Sequence, residues 1–278
     1  DIRVLDTGVE VWLPKIKLVN DDILIRATAE FLSFDESHLK VYAEVEGPKT
    51  GQIPNYLPKY LIGKDTHDYL IRSIQAGRGK LTQVVIDGDP ADIPFSDANS
   101  TGTFIVSAEL ADTLFEFDEE WPALVDLNAI LTVDKMDMFI DAKDGEIGPL
   151  TVNNNVHAKI DLAAQSTVLE LDINPNNLAF SKFHTLVKTT PLAEILGDVF
   201  DFVQLDGSGD AKVHLSIPLS DTPNELGVIP EFVAKGNVIT KDAGLALPSI
   251  NLDIKNLTSV VSFENDAFSI SDASGLWF

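Results

Sequence analysis

The chain contains no cysteine. Disulfides, thiolate-bound zinc and thiol catalysis are excluded together, and a thiol-free chain suits an oxidising compartment. Long apolar runs are missing too: none approaches the ~18 residues of a membrane span. Bases are scarce, with 20 Lys and Arg against 44 Asp and Glu, a formal net charge of −24. That disfavours nucleic acid as a partner, because phosphate contacts need clustered Lys and Arg. It equally disfavours adsorption to an anionic membrane through charge alone. Solubility accounts for the acidity; Ca²⁺ binding by some carboxylates is the alternative. The chain begins at Asp1 without a Met or a targeting stretch and ends on apolar SGLWF, which reads as a piece of a longer protein.

What is present is alternation. Ile25, Ala27, Ala29 and Phe31 alternate with polar neighbours, as do Leu39, Val41, Ala43 and Val45. The same period of two recurs at Val106 and Ala108, at Ile160 and Leu162, at Leu169 and Leu171, and at Val213 and Leu215. Period-two patterning predicts antiparallel strands with one dry and one wet face. Asp144-Gly145 reads as a hairpin turn.

Two helices interrupt the strands. In IPNYLPKYLIGKDTHDYLIRSIQAGRGK, His67, Leu70, Ile71 and Ile74 make one apolar stripe, with Gly77 as the stop. In TTPLAEILGDVFDFVQLDGSGD, Leu192, Ile195, Leu196, Val199, Phe202 and Val203 keep the helical period, with Gly207 as the stop. The expected helices cover about 64–76 and 191–204. The two glycines stand 130 residues apart, and PALVDLNAILTV from Pro122 pairs with PSINLDIKNLTSVV from Pro248 at 126. This predicts a duplication: 1–53 as the tail of a preceding β repeat, 54–185 as a first helix-plus-β repeat, and 186–278 as a truncated second. The expected fold is mainly β with a few helices, an elongated array of antiparallel units forming a curved sheet or groove, with one amphipathic helix per repeat.

Catalytic patterns are missing. His38, His67, His157, His184 and His214 lack zinc-ligand spacing; His157 and His214 read as solvated polar-face residues. Gly77-Arg78-Gly79-Lys80 lacks the phosphate-loop spacing and reads as a helix cap and turn. Ser208 lacks the context of a nucleophile elbow. Asp87, Asp89 and Asp92, or Asp206 and Asp210, could hold Ca²⁺, but the twelve-residue loop is missing. No catalytic residue, metal site or cofactor is singled out, and no enzyme is expected. One basic island stands out: Lys59, Lys64, Arg72, Arg78 and Lys80 against Asp65 and Asp68. It could meet an anionic head group, or its cations could complement the negative end of the helix dipole.

From Tyr56 to Pro122 the chain resembles the YhdP branch of the AsmA-like proteins of the Gram-negative envelope. The resemblance rests on the Leu57-Pro58 pair, the helix with its small-residue turn, the element Gly88, Pro90, Pro94 and Phe95, and the strand leading to Trp121-Pro122. It is clearest over about 53–150. It implies a periplasmic body of repeated β units, anchored in the inner membrane through segments outside this chain, whose groove carries phospholipid between inner and outer membranes. It carries no catalytic residues. Neighbouring repeats and phospholipid are the implied partners. The apolar set Val106, Ala108, Ile160, Leu162, Leu169, Leu171, Val213 and Leu215 is expected to supply groove-facing side chains. The other readings are a non-catalytic scaffold with a closed β core, and a glycan-binding module using Trp12, Trp121 or Trp277 as platforms.

Overall fold

The computed structural model describes residues 1–34, 36–47, 64–97, 99–194, 202–219, 222–224, 226–265 and 267–277. Strand dominates. The first strands are β1 (Ile2–Leu5), β2 (Gly8–Val19), β3 (Leu24–Ser33), β4 (Ser37–Glu46), β5 (Ile74–Gly88) and β6 (Thr103–Phe115). They are followed by β7 (Leu124–Asp134), β8 (Asp137–Ile147), β9 (Leu150–Asp161) and β10 (Val168–Ile173). The last are β11 (Leu178–Ala179), β12 (Gln204–Asp206), β13 (Ser208–Pro218), β14 (Val233–Leu247), β15 (Leu252–Glu264) and β16 (Ala267–Trp277). Hydrogen-bonded neighbours follow chain order from β1 to β10 and then β13 to β16, with β11 on β13 and β12 on β14. Neighbour-to-neighbour pairing of this kind needs only hairpins, and the pairs β2–β3, β3–β4, β5–β6 and β13–β14 are antiparallel.

By contact density the chain divides into two units. The first comprises Asp1–Phe115, Asp126–Asp141 and Ile160–Ala163; the second comprises Glu116–Val125, Ala142–Lys159 and Ala164–Phe278.

The first helix, α1, is shorter than its periodicity suggests. It runs Lys64–Ser73, and Ile74 already opens β5. Gly77 is therefore a strand residue, and Gly77-Arg78-Gly79-Lys80 is neither cap nor turn. The cause is tertiary: Ile74 and Ala76 pair with Phe115 and Leu114 of β6, and the ladder takes the backbone that the helix would have used. Gly77 has φ +130°, and a Cβ there would stand 2.7 Å from the backbone of Thr113. Of the helix expected over 191–204, residues 192–194 and 202 are helical, and 195–201 lie outside the described residues.

A further helix, α2 (Phe180–Lys188), was not expected. Its sequence FSKFHTLVK is short and rich in aromatic and β-branched residues, which weakens any helical signal. Packing makes it: Phe180, Leu186 and Val187 are buried. Phe180 sits with Ala243 and Leu257, and Leu205, Val238, Leu245 and Ile254 close around them. One helix per repeat is thus too simple. Asp144-Gly145 also lies within β8, and the turn into β9 falls at Gly148, whose φ is +52°.

Elements recur at 130 residues. β5 begins at Ile74 and β12 at Gln204; β6 begins at Thr103 and β14 at Val233. β8 and β16 match at both ends. The left-handed backbone positions follow the same interval: Gly77 with Gly207, Asp112 with Asp242, Asp126 with Asn256, Lys135 with Asn265. A turn closed by Trp121 N–H to Asp118 O is matched by Asn251 N–H to Pro248 O. Pro248 therefore corresponds to Asp118, not to Pro122, and the offset of 126 taken from the two prolines is replaced by 130.

The left-handed residues within strands mark β-bulges, as the register shifts on β5–β6, β14–β15 and β15–β16 show. Each bulge resets the side-chain alternation. In β6, Ala108 and Leu110 are buried before Asp112, while Ala111, Thr113 and Phe115 are buried around and after it. Without the extra residue the far end of the strand would turn its apolar side to water.

Candidate functional site

In the first unit the printed registers assemble one apolar face from β2 to β6. Ile16 opposes Ala27, Ala27 opposes Ala43, Ala43 opposes Val84, and Val84 opposes Val106. One step along, Leu18, Ile25, Val45, Thr82 and Ala108 form the next row. Leu13, Ala29, Val41, Ile86 and Phe104 form the row on the other side. Of this face on β2, β3 and β4, only Ala43 is fully buried; Leu13 and Leu18 are 40% and 57% exposed. The opposite face carries Lys17, Arg26, Glu44 and Gln83 in one row, and Thr28 with Tyr42 in the next.

The second unit builds its own apolar face in the same way. Leu171 opposes Leu215, and Leu215 opposes Ala234. Ile173 opposes Val213, Val213 opposes Gly236, and Gly236 opposes Phe263. This face is closed at its centre: Leu169, Leu171, Leu215, Ile217 and Ala234 are all under one-tenth exposed. It opens toward the last strand, where Ile270 is 62% and Trp277 77% exposed.

The expected groove residues therefore fall into two groups. Val106 and Ala108 share a face in the first unit, and Leu169, Leu171, Val213 and Leu215 share one in the second. Ile160 is buried near the end of β9, and Leu162 lies just beyond that strand. Val106, Leu162 and Val213 are half-buried and the other five are buried.

Most of the basic island is engaged. Lys64 pairs with Asp68, Arg78 with Asp112, and Arg72 lies 5.9 Å from the Tyr69 ring. Lys59 and the side chain of Lys80 lie outside the described residues. Sequence reasoning missed different cations. Lys15, Lys17 and Arg26 line a depression of about 440 Å³ together with Thr28, Tyr42 and Glu44. The signal was Pro14, which sits inside the register shift between Leu13 and Ile16 and lets β2 bulge there.

The carboxylates weighed for Ca²⁺ are held by protein groups. Asp87 accepts from His38 and pairs with Lys40, at 2.7 and 3.0 Å, and the Lys40 contact first and His38 second hold its carboxyl below the usual range. Asp89 caps the 3-10 turn Pro90–Asp92 by accepting from Ala91 N–H. Asp206 accepts from Gly207 N–H. Asp210 accepts from Asn177 N–H and pairs with Lys241, and the backbone bond is the larger cause of its lowered pKa. No cluster of three metal-ligating side chains is present among the described residues. His214 is not simply solvated: it bridges Glu170 and Asp172 at 3.0 and 2.9 Å. Trp121 is buried and tilted against Phe117, so it offers no platform to a sugar; Trp12 and Trp277 remain exposed. The Gly88–Phe95 element is a packing device. Phe95 is buried, and a Cβ at Gly102 or Gly88 would stand 2.2 or 2.7 Å from its ring.

An antiparallel β protein with continuous apolar sheet faces, and with its polar groups spent on one another, belongs to the non-catalytic proteins that shelter or scaffold. The family described as YhdP protein matches residues 1–278, and the chain belongs to that family. It is 28% identical over 244 residues to the intermembrane phospholipid transporter YhdP of Escherichia coli (strain K12), a match covering 88% of this chain and 18% of that relative. The chain thus spans about a fifth of the relative's length. No solved structure matches it.

Proposed function

We propose that the chain is one section of a longer envelope protein and shelters phospholipid acyl chains on their way between two membranes. The observation that carries this reading is the apolar face of β2–β4. It is continuous over three strands, yet only one of its side chains is fully buried. With β5 and β6 it is about 20 Å across, at ~4.8 Å per strand. A sixteen-carbon chain needs on the order of 10 kcal/mol of shelter at roughly 0.8 kcal/mol per methylene. A single strand does not supply that; five adjacent rows do. Val106 and Val213 are the half-buried members of the expected set that would meet lipid most directly. The relative's name supports phospholipid as the cargo. The periplasm is the compartment this implies. No helix among the described residues is long and apolar enough to cross a membrane, so membranes would be reached through other parts of the longer protein.

The closed centre of the second face favours a scaffold role for that region, in which Leu171, Leu215 and Ala234 hold the section together.

The test is lipid recovered per mole of protein after exposure to phospholipid membranes. Wild type should carry lipid, and Val41→Arg should remain folded and carry less. A wild type that never acquires lipid, or a folded Val41→Arg with undiminished lipid, overturns the reading.

A further inference from the structure

We propose that the depression beside the bulge of β2 binds a phosphate-bearing anion. It lies with the row of Lys17, Arg26 and Glu44, the polar side of β2–β4, so it is a second site that does not rest on the lipid-shelter reading.

Three observations converge there. First, Lys17 and Arg26 are direct cross-strand partners. Like charges directly opposite one another destabilise a sheet, and this chain has more than twice as many acids as bases to put there instead. Second, the neighbouring acids do not neutralise the pair. Glu44, directly opposite Arg26, takes the Tyr42 O–H at 2.8 Å. Arg26 engages Glu46 through one guanidinium nitrogen, which leaves other N–H groups of its fork free. Lys15 and Lys17 make no ion pair among the described residues, in contrast to Lys64 and Arg78. Third, the bulge at Pro14 and Lys15 adds a third cation to the same concavity, and the Thr28 hydroxyl lines it.

Two point charges, a guanidinium edge and a hydroxyl around one hollow suit a tetrahedral oxyanion, whose several oxygens can each take a charge-assisted hydrogen bond. A volume of about 440 Å³ exceeds a bare phosphate and leaves room for the alcohol esterified to it. A soluble phosphate ester and a phospholipid head group share this chemistry.

The experiment is thermal melting at fixed ionic strength, for wild type and for the double variant Lys15→Gln/Lys17→Gln. The probes are sodium phosphate, glycerol phosphate and monomeric short-chain phosphatidylglycerol, with sodium chloride as the control. Wild type should show a saturable rise in Tm with a phosphate-bearing probe and none with chloride. The variant should melt no lower than wild type without ligand, since the like-charge contact is relieved. Its half-saturating concentration should rise about ten-fold, the loss of one charge-assisted contact. Equal responses to glycerol phosphate and to the short-chain lipid assign the site to soluble esters; a response to the lipid alone that the variant loses assigns it to head groups. A lipid response that the variant keeps belongs to the apolar face and overturns this proposal while leaving the lipid reading intact. Equal phosphate responses in both proteins, or none in either, also overturn it.

Discussion

The two apolar faces are written in the same alternating code and end in different states. In the first unit Val41, Ala27 and Ile25 sit in mid-strand and stay half-buried. In the second, Leu171, Leu215 and Ala234 occupy comparable mid-strand positions and are sealed. Alternation states which side of a strand avoids water. It does not state whether protein or something else covers that side. In the second unit part of the cover is visible: α2 brings Phe180 onto Ala243 and Leu257, with Val238 and Leu245 drawn in. Among the described residues α1 packs on β5, at the margin of the first face.

The largest expected effect breaks this comparison most directly. Leu215→Arg places a charge where 1% of the residue meets solvent, and an unpaired buried charge costs several kcal/mol. Circular dichroism should show an unfolded or aggregated protein. Val41→Arg should cost no more than about 1.5 kcal/mol, because a long side chain on a half-open face reaches water with its head group. If both variants unfold alike, the first face is as closed as the second and the contrast is lost.

Truncation asks the same question more gently. Leu215→Ala should cost about 2–5 kcal/mol in urea unfolding, through lost transfer energy and the cavity left behind. Val41→Ala should cost about 1 kcal/mol or less, since much of that surface is already wet. Added phospholipid should widen the gap between Val41→Ala and wild type, because only the lipid-filled face would then lose contacts.

How much of this was legible beforehand depends on the range of the interaction. The strands were, because period two is local: β3, β4, β6 and β13 fall where Ile25–Phe31, Leu39–Val45, Phe104–Leu110 and Ala211–Ile217 alternate. The 130-residue interval was also visible in Gly77 and Gly207, although both were assigned to helix ends. Pairing with Phe115 and Leu114, which no local pattern announces, turned Ile74 to Gly79 into strand. The helix at Phe180 was missed because its stability comes from Ala243 and Leu257, more than sixty residues away. The expected groove set was read from alternation alone, so it could not separate sealed Leu215 from half-open Val213. The cations at Lys15 and Lys17 escaped notice for a similar reason. They are separated in sequence from Arg26, and only the β2–β3 register brings them together.

The bulges carry the comparison to smaller energies. Asp242 and Asn256 hold φ of +53° and +52° and recur from Asp112 and Asp126. A short polar side chain tolerates this region better than other L-residues, and glycine tolerates it best. Asp242→Val should destabilise by about 1–2 kcal/mol, whereas Asp242→Gly should be near neutral. Asp112→Gly gives up the ion pair with Arg78 as well, an exposed contact worth at most about 1 kcal/mol. Chemical unfolding of the three variants would show whether the bulge tolerates substitution equally in both repeats. A Val at 242 that costs nothing would mean the bulge is not under backbone constraint.

The smallest effect is one of acidity, and it again sets the units side by side. Asp87 in the first and Asp210 in the second both have lowered pKa values, from Lys40 and His38 in one case and from Asn177 N–H and Lys241 in the other. A carboxylate whose folded pKa is depressed adds stability that is fully present above its unfolded value of 3.8 and is lost as pH falls through the folded value. Tm should therefore be insensitive to these groups near neutrality and should fall below about pH 4. Both carboxylates are largely solvated, so the contribution is small, and salt should shrink the Asp87 part more. Its partners are cationic side chains, whereas the largest cause at Asp210 is a neutral backbone donor, which ionic screening leaves in place. Asp210→Asn should flatten the acid arm of the Tm–pH curve at high salt, where Asp87→Asn has little left to remove. If high salt abolished the acid dependence of Asp210 as fully as that of Asp87, the backbone bond from Asn177 would not be its main support.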